Sequence, residues 1–445
     1  MSTAPSNSNS ISNSPNPPLD LLRNKLAFGG DSMLWGIGIA FMPVGTVLTS
    51  LAARLTNDKA LIGALSLAWY VAYLLPQLLA ARVVHGKARS KPYSVWPSVL
   101  GRPVILLFAL WLVFTRAQSP LLTFWVLIGT VVIFLGLDAL TSVAWFDMMG
   151  RAFTPAGRAQ TLTVNQFLGA LAGIGSGFIV QWVLGSDRWP FPLNYAVLLI
   201  SAFVFFELSL ISMVFIRERV SEEPVTSKTT DASFGAKLRT ALGSDAILRR
   251  LLLVRLLTSI ENMASAFYVV FAKERLGLAD EYVGVFSIAL LVGGLIGIAA
   301  FGWIAGRFGP RRVINAASGM QFAAPCLALL VSVLAFYQVL PAPIAFGGFV
   351  LVMVFNGAVN RSSQVGFFSY AQDSTSEVNR PMYVGAVSTV AGLGSFMPVV
   401  GGLLIDGLTR SGLGAGAYIA LFALAAAIVG LGMWLSWGLP KARRV

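Results

Sequence analysis

Four ionisable residues lie inside long apolar stretches of this sequence, namely Arg102, Asp138, Glu207 and Glu261. A charge in hydrocarbon is costly, so such residues usually have a partner or a function. A carboxyl group there can take up and release a proton, whereas an arginine can bind an anion or neutralise a carboxylate. Arg102 and Asp138 lie on adjoining stretches joined by a short connection, and we predict that they form a buried ion pair. A purely structural role, in which the carboxyl groups of Asp138 and Glu261 hydrogen-bond neighbouring helices, is the alternative.

Polar residues recur around two of these carboxyl groups at the spacing of a helix. Asp138 is followed by Thr141, Ser142 and Trp145 at positions i+3, i+4 and i+7. Residues at this spacing lie on one helix face. A second stripe consists of Thr258, Glu261, Asn262, Ser265 and Tyr268, and a third of Asn356, Asn360, Ser363 and Gln364. The sequence therefore predicts three helices that each have one polar face.

The elements that carry these residues are membrane-spanning helices. Apolar residues make up 56% of the chain and charged residues 11%, and the mean hydropathy is +0.76. About a quarter of the residues of a soluble protein are charged. Twelve apolar runs, each of roughly 20 residues, are long enough to cross a bilayer as helices. The alternating ten-residue segments of a membrane β-barrel do not occur, so we predict an all-α polytopic membrane protein with twelve transmembrane helices.

Two polar segments divide the chain into regions. Residues 1–30 include a Ser/Asn/Pro-rich stretch without an apolar core, which predicts a disordered N-terminal tail. Residues 217–250 are charged and polar and predict a linker between two six-helix bundles, residues 31–216 and 251–440. Residues 441–445 would then form a short C-terminal tail.

Basic residues predict the orientation in the membrane. Most of the 32 Lys and Arg residues fall on the side of the N-terminus, and seven fall in connections on the other side. Because cytosolic segments are enriched in Lys and Arg, both termini are expected in the cytosol. Attraction to anionic lipid then explains the net charge of +13 without nucleic acid as a partner. In this arrangement all four ionisable residues lie near the middle of the membrane, roughly 14 Å from the cytosolic ends of their helices.

The two halves resemble each other at a constant offset. The segment GKARSKPYSV, from Gly86, aligns with GRFGPRRVIN, from Gly306, at an offset of 220 residues. A second match, at an offset of 222 residues, places Arg158 on Arg380. Two such matches at nearly equal spacing predict a duplicated six-helix unit, which is one way in which secondary transporters are built.

The segment GWIAGRFGPRRVI, between the predicted eighth and ninth spans, resembles the signature loop of the major facilitator superfamily. Gly306 stands where the family has Asp, and Pro310 stands where it has Arg. The matching residues include Gly302, Arg307, Gly309, Arg311 and Arg312.

The resemblance implies two pseudo-symmetric six-helix bundles around a central cavity lined by spans 1, 4, 7 and 10. The three polar stripes lie on spans 4, 7 and 10, so they are expected to line that cavity. Weaker candidates for the cavity are Trp35, Met42, Thr46, Asn165 and Gln166. The resemblance also implies that the loop is a cytosolic latch, whose arginines reach helix C-terminal carbonyls, lipid phosphates or the carboxylates of Asp373 and Glu377. A simple cytosolic retention signal is the alternative for this loop.

The resemblance implies a secondary active transporter that moves a small organic solute across the cytoplasmic membrane by alternating access. Asp138 or Glu261 is the expected proton-coupling group, with Arg102 and Glu207 as further candidates for coupling or for substrate contact. A non-transporting sensor or assembly factor is the alternative, and efflux of an amphipathic compound or uptake of a sugar or other organic solute both stay open. Motifs of hydrolases, metalloproteases and ATP-binding loops are missing from the sequence. We therefore expect a monomer that is not an enzyme and has no cofactor or metal.

Overall fold

The structure, a computed structural model, describes residues 18–84, 87–218, 243, 245–375 and 380–440. All regular elements in these residues are helices, and twelve segments are long and apolar enough to cross a membrane. A helix satisfies its own backbone hydrogen bonds, so it is the form that a single apolar segment takes in lipid. The predicted all-α polytopic fold is confirmed.

The twelve spans follow one another in the chain, and the longest stretch between two of them, residues 215–245, separates span 6 from span 7. Span 1 is broken into a helix, a π-helical turn and a second helix: Pro18–Phe41, Val44–Leu48 and Thr49–Leu55. Spans 2 to 6 are Lys59–Val84, Lys91–Gly101 with Pro103–Thr115, Pro120–Ala152, Pro155–Leu184 and Leu193–Val214. Span 7 consists of Ala246–Ser259, Asn262–Ser265 and Tyr268–Leu276. Spans 8 to 12 are Tyr282–Phe308, Pro310–Phe336, Ala342–Asp373, Arg380–Leu393 with Gly394–Phe396 and Met397–Arg410, and Gly416–Trp437.

The first span begins earlier than the sequence predicts, and this corrects the predicted tail. Its helix starts at Pro18, so residues 18–30 are helical. The cause is an apolar face, on which Phe28 is fully buried against Met149 and Phe153 of the region around the end of span 4. Residues 1–17 and 441–445 lie outside the described residues.

The predicted linker is also too long. The helix of span 7 begins at Ala246, where the Asp245 carboxylate accepts hydrogen bonds from the backbone N–H groups of Ile247 and Leu248. An Asp at this position satisfies helix N–H groups that have no partner within the helix. Most of residues 217–244 lie outside the described residues.

The two halves meet through spans 2 and 11 and through spans 5 and 8. We call the face on which span 1 begins and span 12 ends the terminal face, and the other the opposite face. Glycines bring the backbones together near the opposite face. A Cβ atom on Gly63 would lie 2.2 Å from the carbonyl oxygen of Pro398, and one on Gly284 would lie 2.4 Å from the backbone nitrogen of Gln181. Small residues are a general means of close helix packing in membranes.

Candidate functional site

A cavity of about 430 Å³ lies between the two halves. Its walls come mainly from the first half, and span 8 contributes Ser287, Leu290 and Leu291. Its charged residues are Asp31, Arg102 and Asp138. Other residues of the wall are Trp35, Tyr73, Thr141, Ser142, Trp145, Phe146 and Asn165. The polar stripe of span 4 therefore faces this cavity together with Arg102.

Arg102 does not form the predicted ion pair with Asp138. Its side chain is buried and points toward span 6, where the guanidinium donates to the carbonyl oxygen of Phe206 and, at 3.4 Å, to the hydroxyl oxygen of Ser209. The guanidinium carbon also lies 5.9 Å from the centre of the Trp35 ring, within the range of a cation–π contact. The helix rotation set by packing thus directs Arg102 to span 6 rather than to span 4.

Asp31 is a cavity residue that the sequence analysis missed. Its carboxylate accepts a hydrogen bond of 2.7 Å from the indole N–H of Trp145 and one of 2.5 Å from the hydroxyl of Ser209. Asp31 stands at the boundary between the predicted tail, residues 1–30, and the first predicted bundle, so it was not counted among the ionisable residues inside an apolar stretch. The apolar residues before it, including Leu21 and Phe28, are the signal that could have extended the helix.

Asp138 lies in the cavity wall and has no hydrogen-bond or ion-pair partner among the described residues. Its neighbours on the stripe are engaged within the protein. The Thr141 hydroxyl lies 3.0 Å from that of Ser98, and the Ser142 hydroxyl donates to the carbonyl oxygen of Ala139 at 2.9 Å. Asp138 is therefore the carboxylate of the cavity that is free to bind a proton or a ligand.

Glu261 belongs to a separate polar cluster within the second half. It lies at the first break of span 7 and is buried. Its Oε1 atom accepts hydrogen bonds from the Tyr268 hydroxyl at 3.3 Å and from the Asn356 amide at 3.1 Å. The Asn360 amide donates to the Asn356 side chain at 2.7 Å. The stripes of spans 7 and 10 thus contact each other, and Glu261, Tyr268, Asn356 and Asn360 are not part of the cavity wall.

The other candidates of the sequence analysis also lie outside the cavity wall. Asn262 donates to the carbonyl oxygen of Gly394 at 3.3 Å, where the breaks of spans 7 and 11 meet, and Ser265 bonds the carbonyl oxygen of Asn262 at 3.5 Å. Glu207 lies on span 6 and is partly exposed. The side chains of Gln166, Ser363 and Gln364 lie outside the described residues. Among the described residues, no three His, Cys, Asp or Glu side chains are grouped to hold a metal ion.

Comparison with solved structures assigns the fold. A point mutant of the nucleoside transporter NupG has a TM-score of 0.67 at 12% identity, over 95% of this chain and 100% of its own. A D-xylose–proton symporter has a TM-score of 0.63 at 13% identity, with 95% and 97% covered. A bacterial homologue of the iron transporter ferroportin, in its inward-facing state, has a TM-score of 0.62 at 14% identity, with 93% and 97% covered. The chain has the major facilitator fold.

These structural neighbours are transporters rather than enzymes, as the sequence analysis expects of this chain. No protein-family model and no curated protein sequence matches this chain. The likeness therefore concerns the fold, which the sequence predicted from the loop at Gly302, the repeat and the twelve spans.

The segment that resembles the signature loop lies where spans 8 and 9 meet, and a single residue separates the two helices. Gly309 has a φ of +79° between Phe308, which ends span 8, and Pro310, which begins span 9. Glycine accepts this conformation easily, and proline suits the first position of a helix. The Arg311 guanidinium donates to the carbonyl oxygen of Trp437 at 2.7 Å, at the end of span 12. A cation is favourable at a helix C-terminus.

The remaining residues of this loop make fewer contacts. The Arg307 guanidinium lies 5.9 Å from the Trp303 ring centre and 5.8 Å from that of Phe308. Arg312 is exposed, and open space adjoins Gly302. Asp373 forms no ion pair with a described arginine, and Glu377 lies outside the described residues. The latch role of the loop stays a prediction.

The first half makes a corresponding contact. Lys91, which the repeat aligns with Arg311, donates to the carbonyl oxygens of Val214 at 2.6 Å and Ile216 at 2.9 Å, at the end of span 6. The two basic residues therefore bind the last span of their own halves, and the duplication extends to this interaction.

Carboxylates from other segments contact the connection between spans 2 and 3. Glu218 accepts from the backbone N–H groups of Ser90 and Lys91 and lies 3.5 Å from the Arg151 guanidinium. Arg151 also pairs with Asp147 at 2.6 Å and donates to the carbonyl oxygen of Ala88. The connection between spans 2 and 3 is thus held by span 4 and by the segment after span 6.

Near the opposite face, charged residues join the two halves. This opposite-face cluster contains Arg54 and Lys59 from the first half and Lys273, Glu274 and Asp280 from the second. Arg54 pairs with Asp280, Lys59 pairs with Glu274, and Lys273 pairs with Asp280. Burial alone would raise the pKa of Asp280, but the Lys273 ammonium and the Arg54 guanidinium outweigh burial and hold that pKa below its usual value.

Proposed function

We propose that this protein is a secondary active transporter that carries a small organic solute across the cytoplasmic membrane by alternating access. The observation that carries the proposal is a cavity closed at one end by contacts between the halves. Ser287 lines the cavity, and its hydroxyl lies 2.7 Å from that of Thr46 in the other half. Among the described residues, every hydrogen bond and ion pair that joins the two halves lies toward the opposite face.

The orientation follows from the basic residues. With both termini in the cytosol, the closed opposite face is the outer one, and the cavity belongs to an inward-facing state. The similarity to the inward-facing ferroportin homologue supports this assignment. Transport then requires the opposite-face cluster to separate while the terminal ends of the spans approach each other.

The coupling group in this proposal is Asp138. An ionisable residue in a membrane protein that faces a cavity is a natural site of proton exchange. Asp138 has no hydrogen-bond or ion-pair partner among the described residues, whereas Glu261 accepts two hydrogen bonds and lies outside the cavity wall. Glu261 is thus better suited to bracing spans 7 and 10, and the proton gradient acts through Asp138.

Reconstituted protein tests this function. A thermal-shift screen of detergent-solubilised protein against sugars, nucleosides, organic acids and organic cations identifies a stabilising solute. Proteoliposomes should then exchange this solute in counterflow and accumulate it or expel it under an imposed pH gradient. Asp138→Asn should abolish the response to pH but keep counterflow at saturating solute, and Glu261→Gln should keep both. Protein that binds a solute but exchanges none would contradict transport, and pH-driven movement by Asp138→Asn would contradict coupling through Asp138.

A further inference from the structure

The charges of the cavity do not balance. Arg102 and Asp31 are linked through one hydroxyl group, since the Ser209 oxygen accepts from the Arg102 guanidinium at 3.4 Å and donates to the Asp31 carboxylate at 2.5 Å. The Ser209 hydroxyl thus connects the Arg102 guanidinium and the Asp31 carboxylate, whose opposite charges compensate each other. Asp138 is the third charged residue of the wall and has no such partner. When Asp138 is ionised, the cavity therefore carries one uncompensated negative charge.

A carboxylate without a hydrogen-bond or ion-pair partner in a cavity between helices attracts a cation, because the surrounding protein screens the charge less than water does. Arg102 cannot move to Asp138 without giving up its bonds to Phe206 and Ser209 on span 6. The cation that balances Asp138 must then come from outside the protein.

Aromatic rings line the same cavity as this carboxylate. Trp35, Tyr73, Trp145 and Phe146 all belong to the wall. The ring of Trp145 is held by its hydrogen bond to Asp31 and by an edge contact with Phe28, whose centre is 5.2 Å away. Aromatic rings in a cavity wall attract an organic cation through their ring electrons, in addition to its attraction to the carboxylate.

The other polar groups of the cavity are largely engaged within the protein. The Asn165 amide donates to the carbonyl oxygen of Phe28 at 3.2 Å. The Ser287 hydroxyl donates to the carbonyl oxygen of Val283 at 2.9 Å. The Arg102 guanidinium is directed to Phe206 and Ser209 of span 6, and the donors of Ser142 and Trp145 are engaged as well. An anion or a polyol needs free donors, whereas a cation needs a free acceptor and apolar walls. The cavity offers the second combination.

We propose that the cavity binds a monovalent organic cation with an aromatic or aliphatic body, and that Asp138 is its counter-ion. This inference rests on the proposed function, because it names the class of solute that the transporter carries. One unmatched carboxylate favours a single positive charge over two.

Binding to purified protein tests the charge preference. The probes are benzyltrimethylammonium, its neutral isostere neopentylbenzene and the anion phenylacetate, with quenching of tryptophan fluorescence as the readout. Wild-type protein should bind the cation about tenfold or more tightly than the neutral isostere, and should not bind the anion. Asp138→Asn should lose about tenfold in affinity for the cation and nothing for the neutral compound. Asp138→Glu should keep the preference, and Glu207→Gln, which removes a carboxylate outside the cavity wall, should behave as wild type.

Three results would overturn the inference: equal affinity for the cation and its isostere, no cation binding at all, or the same loss in Asp138→Asn and Glu207→Gln. Counterflow of labelled benzyltrimethylammonium in proteoliposomes separates this inference from the proposed function. Cation binding that depends on Asp138 without exchange across the membrane would support the site and contradict transport. Exchange of a neutral solute by protein without cation preference would support transport and contradict the site.

Discussion

Arg54 and Asp280 meet across the boundary between the two halves, with 2.6 Å between Nη2 of the arginine and Oδ2 of the aspartate. The same carboxylate pairs with Lys273, which donates to the hydroxyl of Ser50 in the other half at 2.8 Å. The Asp280 and Lys273 side chains are 8% and 12% exposed. Water therefore cannot fully solvate either charge if the ion pair is broken while the face stays closed. A single carboxylate thus connects several groups that must separate when the opposite face opens.

We expect Asp280→Asn to shift the protein toward a state with an open opposite face. Removing one partner of a buried charge pair costs about 2 kcal/mol or more, which changes the ratio of two states by more than about tenfold. Spin labels at Asp187 and Ser411, in a Cys326→Ala background, report the distance between the halves at this face. The distance should lengthen in Asp280→Asn and stay unchanged in Glu281→Gln, which alters the same charge at the next residue. Equal lengthening in both variants would contradict the special role of Asp280.

Acid should open the same face. The pKa of Asp280 is held below its usual value in the closed state by Lys273 and Arg54, despite burial. A carboxyl group with a lowered pKa stabilises the closed state above its ordinary pKa of about 3.9, and this stabilisation is lost as the pH falls through the lowered value. The label distance should therefore stay constant from about pH 7 to about pH 4 and lengthen below that range. In Asp280→Asn the label distance should not change in this acid range. If the distance in the wild type changes with a midpoint near neutral pH, a group other than Asp280 is responsible.

The twelve spans could be predicted because lipid imposes a simple requirement, an apolar run long enough to cross it. Partners across the bundle could not, because they depend on how each helix is rotated about its axis. Arg102 illustrates this limit, since it points to Ser209 on span 6 rather than to Asp138. Glu261 and Asn356 illustrate it too, since these residues of two polar stripes contact each other and do not line the cavity.

Helix ends and breaks show a second limit of sequence reasoning. Pro43 precedes the π-helical turn of span 1, and a proline at such a place is a visible signal of a break. The break of span 7 at Glu261 has no proline or glycine, so nothing local marks it. Asp31 was missed for a related reason, because the start of span 1 depends on packing of Phe28 against the region around Phe153.

Lys91 and Arg311 should contribute to stability through helix ends. Each binds carbonyl oxygens at the C-terminus of the last span of its half. Replacement of either by Met should lower the free energy of unfolding by about 0.5–2 kcal/mol, with the larger loss for Lys91 because it serves two carbonyls. Unfolding in detergent, followed by circular dichroism, measures the change. Arg312→Met is the matched control, since Arg312 is exposed, and an equal loss in this variant would mean that general basic charge, not the helix-end contact, matters.

The hydrogen bond between Asp31 and Trp145 should be a strong interaction, because its acceptor is a buried carboxylate and its length is 2.7 Å. A hydrogen bond to a charged group is worth about 1.5–3 kcal/mol. In a double-mutant cycle, Asp31→Ala and Trp145→Phe should therefore be non-additive by about 1 kcal/mol or more in the free energy of unfolding. Trp111→Phe provides the control, since its indole donates to Thr123 at 3.3 Å and does not contact Asp31, so it should be additive with Asp31→Ala. Additivity in both cycles would show that the Asp31–Trp145 contact does not hold the ring of Trp145 in the cavity wall.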